Sequence, residues 1–398
     1  MYKNLAMVCL IGALSASCTG NCSGKPDATK APRSEKSVVM AKEGEMFLLA
    51  GTYTSAEGSK GVYVYRFDTV TGESGQISMA VVSNPSYLVL SPDEKYVYTV
   101  GENDKGNSAV HAFAFDKKNG NLTNINSQLT NSAGPCYITI DNRGKNVHTA
   151  NYGGGSISSF QVKSDGSLTP ATSVMLFEGS GPDTKRQESP HLHSVRYSPD
   201  GHFLFATDLG TDKLYRFSVS DTPFEGQPSI YESSLTEFAA PAGTGPRHFD
   251  FHPDGGRYLY LLGELSGEII VYDYHFGELQ QKQVIASDTV GARGSADIHV
   301  SPDGRYLYAS NRLQADGVSI FSINSDDGTL EKVGYQPTGK HPRNFVITPN
   351  GKFLLVACRD DNVIQVFRIN EETGLLTDIN KDIYISMPVC LKFATSAE

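Results

Sequence analysis

From residue 47 to the C terminus, apolar positions alternate with polar ones in short runs, separated by clusters of Gly, Pro, Asp and Asn. A period of two is the mark of half-buried strands, and those residues mark tight turns. The runs repeat about every fifty residues. Each unit reads as an alternating strand, a Ser-Pro-Asp-Gly turn, an aromatic-rich strand, then further strands and an Asp-x-x-x-Gly-x-Leu turn. Copies begin at Tyr87, Tyr137, Ser194, His248, Asp297 and Asn344. The turn proline falls at Pro92, Pro199, Pro253, Pro302 and Pro349, with Asn142 in its place in one copy, giving spacings of 50, 57, 54, 49 and 47 residues. Third strands are visible at 110–115 and 318–323.

Four antiparallel strands per unit make a propeller blade, whereas a solenoid would have shorter coils and no need to close. The chain ends predict closure. Residues 47–53 match the second strand of a unit and 61–68 the third, while the missing first strand appears at 387–393, which parallels the segment from His341. Six internal copies and this shared blade predict an all-β, seven-bladed propeller over residues 43–398. Its four-stranded antiparallel blades would form a ring sealed by the N- and C-terminal strands, with no free sheet edge.

The first forty residues differ in character. Lys3, an apolar run at 5–16 and Cys18 read as an export signal over 1–17, with Cys18 as the lipidated residue of a lipobox that carries Ser15 where Leu is usual. The run is too short to span a bilayer. Residues 18–42, polar and rich in Ser, Lys, Pro and Gly, read as a flexible tether. The expectation is an exported protein, periplasmic or anchored as a lipoprotein, that touches the membrane only through that lipid. Cys136, Cys358 and Cys390 lie in the body without metal-type spacing and read as buried single thiols.

The chain carries 34 Lys and Arg against 44 Asp and Glu, a net charge of −10. That balance argues against nucleic acid as a partner, so an anionic ligand must be met by a few placed arginines. Equivalent positions in a propeller lie on circles about its axis, so aligned columns become rings. Two and four positions before the turn proline the column is apolar. Six before, it reads Ser86, Cys136, His193, Arg247, Ala296 and Arg343, with Val389 from the shared blade. The next column reads Tyr87, Tyr137, Ser194, His248, Asp297, Asn344 and Cys390. The second strand returns to the same mouth with Thr52, Glu102, Tyr152, Leu209, Glu264, Arg312 and Arg359. One channel mouth is therefore expected to gather arginines, histidines and glutamates, joined by His191 and the loop at 179–193. That composition suits an anion site.

His191/His193 and His248/His252 invite a metal reading, but neither pair has a clear third ligand, and His252 falls at the opposite end of its strand from His248. No metal or other cofactor is expected. There is no Gly-x-Ser-x-Gly elbow and no phosphate-binding loop. Gly153-Gly154-Gly155 lies between two strands and reads as a hairpin turn. Arg, Glu and His together suit addition of water to an activated ester, with Glu264 or His193 as base and Arg247 stabilising the oxyanion.

The segments Asn84-Pro85-Ser86-Tyr87, Ala150-Asn151-Tyr152, Ser189-Pro190-His191-Leu192-His193, Gly245-Pro246-Arg247-His248, Gly263-Glu264-Leu265, Ala296-Asp297-Ile298-His299, Ser310-Asn311-Arg312 and His341-Pro342-Arg343-Asn344 are specific in combination. Through them, residues 46–394 resemble the seven-bladed propeller lactonases. That group includes the propeller-type 6-phosphogluconolactonase and the fungal carboxymuconate lactonising enzyme. The resemblance implies a metal-independent lactone hydrolase whose active His, two Arg and Glu fall on His193 (or His191), Arg247, Glu264 and one of Arg312 or Arg343. His191, His248, Arg343, Asn344, Tyr152, Glu102 and Asp297 are then expected around the substrate, a sugar lactone that is either 6-phosphogluconolactone or a related aldonolactone. An exported protein would meet an unphosphorylated sugar lactone more naturally. The alternative is a non-catalytic exported propeller that binds a sugar acid or a protein partner. A monomer is the default expectation.

Overall fold

The computed structural model describes residues 44–220 and 226–396. The predicted signal, tether and Cys18 lie outside them. Seven antiparallel sheets follow one another along the chain. Six are built from consecutive strands. In the seventh, Pro388–Thr395 pairs with Glu45–Thr52, which continues to Gly61–Asp68 and Ser74–Val81. The predicted closure by the two chain ends is thus the observed one, down to pairing of Leu391 with Ala50. One blade departs from four strands. Its outer edge is split into Leu376–Asp378 and Ile383–Tyr384, which pair with opposite ends of Val363–Ile369. Asn380, in a left-handed conformation, lies between the two pieces.

The repeated turn explains itself. In Ser198-Pro199-Asp200-Gly201, the Gly201 N–H donates to the Ser198 carbonyl at 2.9 Å, and Gly201 takes a φ of +74° that a side chain would oppose. The equivalent bond joins Gly304 to Ser301 and Gly351 to Thr348, each at 2.8 Å. The outer turns tie blade to blade. Tyr98, Tyr260 and Tyr308 donate to the carbonyls of Gly166, Gly328 and Gly374 in the following blade at 3.0, 3.0 and 2.9 Å. Each glycine has positive φ, and a Cβ there would meet the ring of Tyr96, Tyr258 or Tyr306.

The apolar column four before the turn proline, Leu88, Ile138, Val195, Phe249, Ile298 and Phe345, is buried between blades. The closing strand adds Leu391 and Ala394 to the same kind of layer. Leu391→Ala is therefore expected to lower unfolding free energy by about 2–5 kcal/mol, whereas the same change at exposed Leu375 should stay within about 0.5 kcal/mol. Urea unfolding of the two variants checks this, and equal losses would contradict closure as a structural necessity.

Candidate active site

The innermost strands do not run regularly into the channel. In five blades the pairing register shifts where that strand begins, skipping Cys136, His193, Arg247, Arg343 and, in the closing strand, Val389. In a sixth the shift spans Ala296 and Asp297. A bulge of this kind re-aims a side chain. The bulged column converges: Ser86, Cys136, His193, Arg247, Arg343 and Val389 line one chamber, together with Tyr87, His248 and Asn344. The chamber is small. Its free volume is about 10 Å³, enough for roughly one water.

Glu264, bonded to Arg247 of the chamber wall, is the centre of a buried ion cluster. Its Oε2 lies 2.8 Å from Arg247 Nε and 3.3 Å from Arg312 Nη2, and its Oε1 lies 2.6 Å from Arg186 Nη2. His193 Nε2 faces the same carboxylate at 3.9 Å. Burial opposes its ionisation, but Arg312, Arg247 and Arg186 outweigh that and hold the carboxyl at about 2. The cations are anchored on backbone as well. Arg247 Nη1 donates to the Ala296 carbonyl, and Arg312 Nε donates to Gly294 O at 2.8 Å while its Nη1 lies 3.2 Å from His341 Nε2. Burial, with Arg247 and Arg343 nearby, brings Arg312 down to about 9, still a cation at neutral pH.

A second chain of charge starts from His248, which shares the chamber wall with Arg247. His248 Nδ1 lies 2.7 Å from Asp297 Oδ1, and Asp297 Oδ2 lies 3.1 Å from His299 Nε2. His299 Nδ1 faces Asp250 at 3.5 Å, and Asp250 pairs with Arg196 at 2.8 Å. The Asn344 amide and the Phe345 N–H complete the donors to Asp297. Burial holds His248 down at about 3 and His193 well below the usual imidazole range, with Arg247 adding to both. Both are therefore neutral at pH 7. Burial also disfavours the His299 cation, but Asp297 and Asp250 outweigh it and raise that group to about 9.

The structure thus brings His193, Arg247, Glu264 and Arg312 together, with His248 and Arg343 in the adjoining chamber. It places other expected residues differently. Both Asp297 oxygens are taken by protein donors, and Asn344 spends its carbonyl on the Leu391 N–H at 2.7 Å. His191 stacks on Tyr152, centroids 4.4 Å apart, with Nδ1 on the Tyr152 carbonyl at 3.0 Å. Glu102 accepts from Tyr53 at 2.9 Å, and the Arg343 guanidinium lies 5.5 Å over that tyrosine ring. Arg359 pairs with Asp360 instead of Glu264. Arg186 was not singled out from sequence. It sits in the loop flagged at 179–193, but no repeat column contains it, so nothing marked it from its neighbour Lys185. Of the metal-type pairs, His252 bonds the Gly304 carbonyl and Asp254, far along the strand from His248. Cys136, Cys358 and Cys390 are free and buried.

The structure is a ring of seven blades in which guanidiniums and neutral imidazoles pack round one buried carboxylate. The family described as "Lactonase, 7-bladed beta-propeller" matches residues 47–393, and the chain belongs to it. It is 36% identical to the 6-phosphogluconolactonase of Formosa agariphila over 87% of this chain and 99% of that one. It is also 36% identical to the 6-phosphogluconolactonase of Bacillus subtilis, over 86% and 97%. Among solved structures, the periplasmic gluconolactonase of Pseudomonas aeruginosa superposes with a TM-score of 0.82 at 32% identity, covering 89% of this chain and all of that one.

The shifted groups contribute to how stability varies with pH. His299, raised to about 9, stabilises the fold fully below its ordinary 6.5, and that contribution is lost as pH rises through 9. Glu264, lowered to about 2, stabilises it above its ordinary 4.5 and loses that contribution as pH falls through 2. The urea midpoint is expected to decline between pH 6.5 and 9, and His299→Gln should flatten that limb while leaving the acid limb in place.

Proposed function

We propose that this protein hydrolyses a sugar lactone at the channel mouth, without a metal. What carries the reading is the arrangement about Glu264: two guanidiniums, Arg247 and Arg312, held rigid and dry by one carboxylate beside neutral imidazoles. A lactone carbonyl that takes up water develops negative charge on oxygen, and preorganised cations in a water-poor site stabilise that charge strongly. They supply the electrostatic stabilisation that a Lewis-acid metal would give. Both oxygens of Glu264 are taken up by guanidiniums, Oε2 by Arg247 and Arg312 and Oε1 by Arg186, so its role is to fix the cations and water activation falls to the imidazoles.

Arg186 has a different part. Its side chain is the exposed member of the cluster, and it also approaches the Tyr152 hydroxyl at 3.4 Å. The chamber is too small for a sugar, so the lactone ring sits outside it, where we place Arg186 turned away from Glu264. The guanidinium is then free for a substrate hydroxyl, carboxylate or phosphate. The relatives named above support lactone chemistry with both phosphorylated and plain gluconolactone. The export signal read in residues 1–17 favours a plain aldonolactone met outside the cytoplasm, with Cys18 as the anchor.

The test is turnover of glucono-δ-lactone, its 6-phosphate and a muconolactone by the purified protein, with and without chelator, after subtracting spontaneous ring opening. Turnover unaffected by chelator is expected on a sugar lactone, and Arg247→Ala should lower kcat by about 10²–10³-fold. No turnover above background on any of the three would reject the reading and leave a binding propeller.

A further inference from the structure

Two imidazoles border the chamber, and their surroundings are not equivalent. Asp297 is ionised: His299 and His248 hold its carboxyl well below the ordinary range against the effect of burial. An ionised carboxylate only accepts hydrogen bonds, so the neutral His248 carries its proton on Nδ1, 2.7 Å from Asp297 Oδ1. Its lone pair is then on Nε2. That atom is buried and has no hydrogen-bond partner among the described residues. Buried polar atoms left in this condition need a reason. His248 lines the chamber, and so does Ser86, whose buried hydroxyl is likewise without a partner.

His193 is engaged on both sides. Its Nε2 faces the Glu264 carboxylate at 3.9 Å, which favours the proton there. Its Nδ1 faces the Cys136 sulfur at 3.7 Å. Burial raises that thiol to about 12, so the sulfur keeps its proton, which the Leu192 and His193 carbonyls at 3.6 and 3.5 Å also attract. His193 thus has a protein group facing each ring nitrogen, whereas His248 Nε2 faces none.

Resting on the lactonase reading, we propose that His248, oriented by Asp297, is the catalytic base, and that the attacking water sits between His248 Nε2 and the Ser86 hydroxyl. The chamber's free space matches one water. In the reaction the water O–H bond breaks, its oxygen bonds to the lactone carbonyl carbon, and its proton goes to His248 Nε2. The carbonyl electron pair moves to oxygen beside Arg247. Collapse reforms the carbonyl and breaks the ring C–O bond, and the ring oxygen takes the proton from His248 Nε2 to leave as a hydroxyl. The new carboxylic acid releases its own proton to solvent. Asp297 is a positioning residue, holding the tautomer in which Nε2 is free and stabilising the imidazolium formed in passing. This assignment differs from the expectation that Glu264 or His193 is the base.

His248→Asn retains an amide N–H toward Asp297 but removes the base. Using the lactone that the wild-type protein turns over best, kcat should fall by about 10²–10⁴-fold while KM moves less than threefold. His193→Gln, which keeps a donor toward Glu264, should lose less than tenfold in kcat. Ser86→Ala should lower kcat several-fold with KM little changed. A His248→Asn kcat within threefold of wild type overturns the proposal, as does a His193→Gln loss equal to or greater than that of His248→Asn. If His248→Asn shows no cooperative melting transition, Ser86→Ala decides, and an unchanged kcat there overturns the placement of the water. A wild-type protein without turnover rejects the lactonase reading itself, an outcome distinct from an active wild type whose His248 variant stays active.

Discussion

Seven separate sheets make a ring only if the last blade is joined to the first, and here the backbone ladder between Pro388–Thr395 and Glu45–Thr52 builds one blade from both chain ends. The site depends on that pairing twice over. It fixes the distance from every innermost strand to the axis, so residues from blades far apart in sequence meet in one chamber. It also brings Leu391, whose N–H is bonded to Asn344, to the residue whose amide supports Asp297. The terminal strand, remote from any chemistry in sequence, is therefore a support of the His248–Asp297 pair.

A closed channel is a poor solvent for charge, and the side chains on its axis respond by answering one another. Separated from water, each ion is costly unless paired and hydrogen-bonded. The result is two networks: Arg186, Arg247 and Arg312 about Glu264, and the run from His248 through Asp297, His299 and Asp250 to Arg196. Burial and nearby cations keep His193 and His248 neutral, while paired carboxylates keep His299 charged. Imidazoles that start alike thus take opposite states, which separates acceptors of protons from fixed charges within a few ångströms. The single exposed member, Arg186, is the one cation of the cluster able to leave without stranding itself away from water.

Much of this was legible in the sequence, for identifiable reasons. Alternation and the Ser-Pro-Asp-Gly turns respond to local backbone preferences, which act the same way in every copy. Repetition then turned columns into rings, and the column six before the turn proline is the set that lines the chamber, Ala296 apart. What the columns could not convey is direction. Arg359 aligns with Glu264 and Arg312 yet pairs with Asp360, because a short helical turn at Arg359–Asp361 redirects the chain. Asp297 aligns with His248 and Asn344 yet serves them instead of facing the chamber. Arg186 belongs to an insertion between repeats, where no alignment of copies can speak.

The sequence by itself determined the blade count, the strand order, the shared blade and the residue types at the channel mouth, because period, turn chemistry and closure are properties of short segments repeated. The tertiary structure alone decided which atoms meet. The bulges that skip Cys136, His193, Arg247 and Arg343 aim those side chains at the axis. Only once they are there does the low-dielectric channel sort the ionisable groups into clamped carboxylate, fixed cations and neutral imidazoles. Protonation depends on burial and on neighbours some fifty residues apart in the chain, and neither exists until the ring has closed.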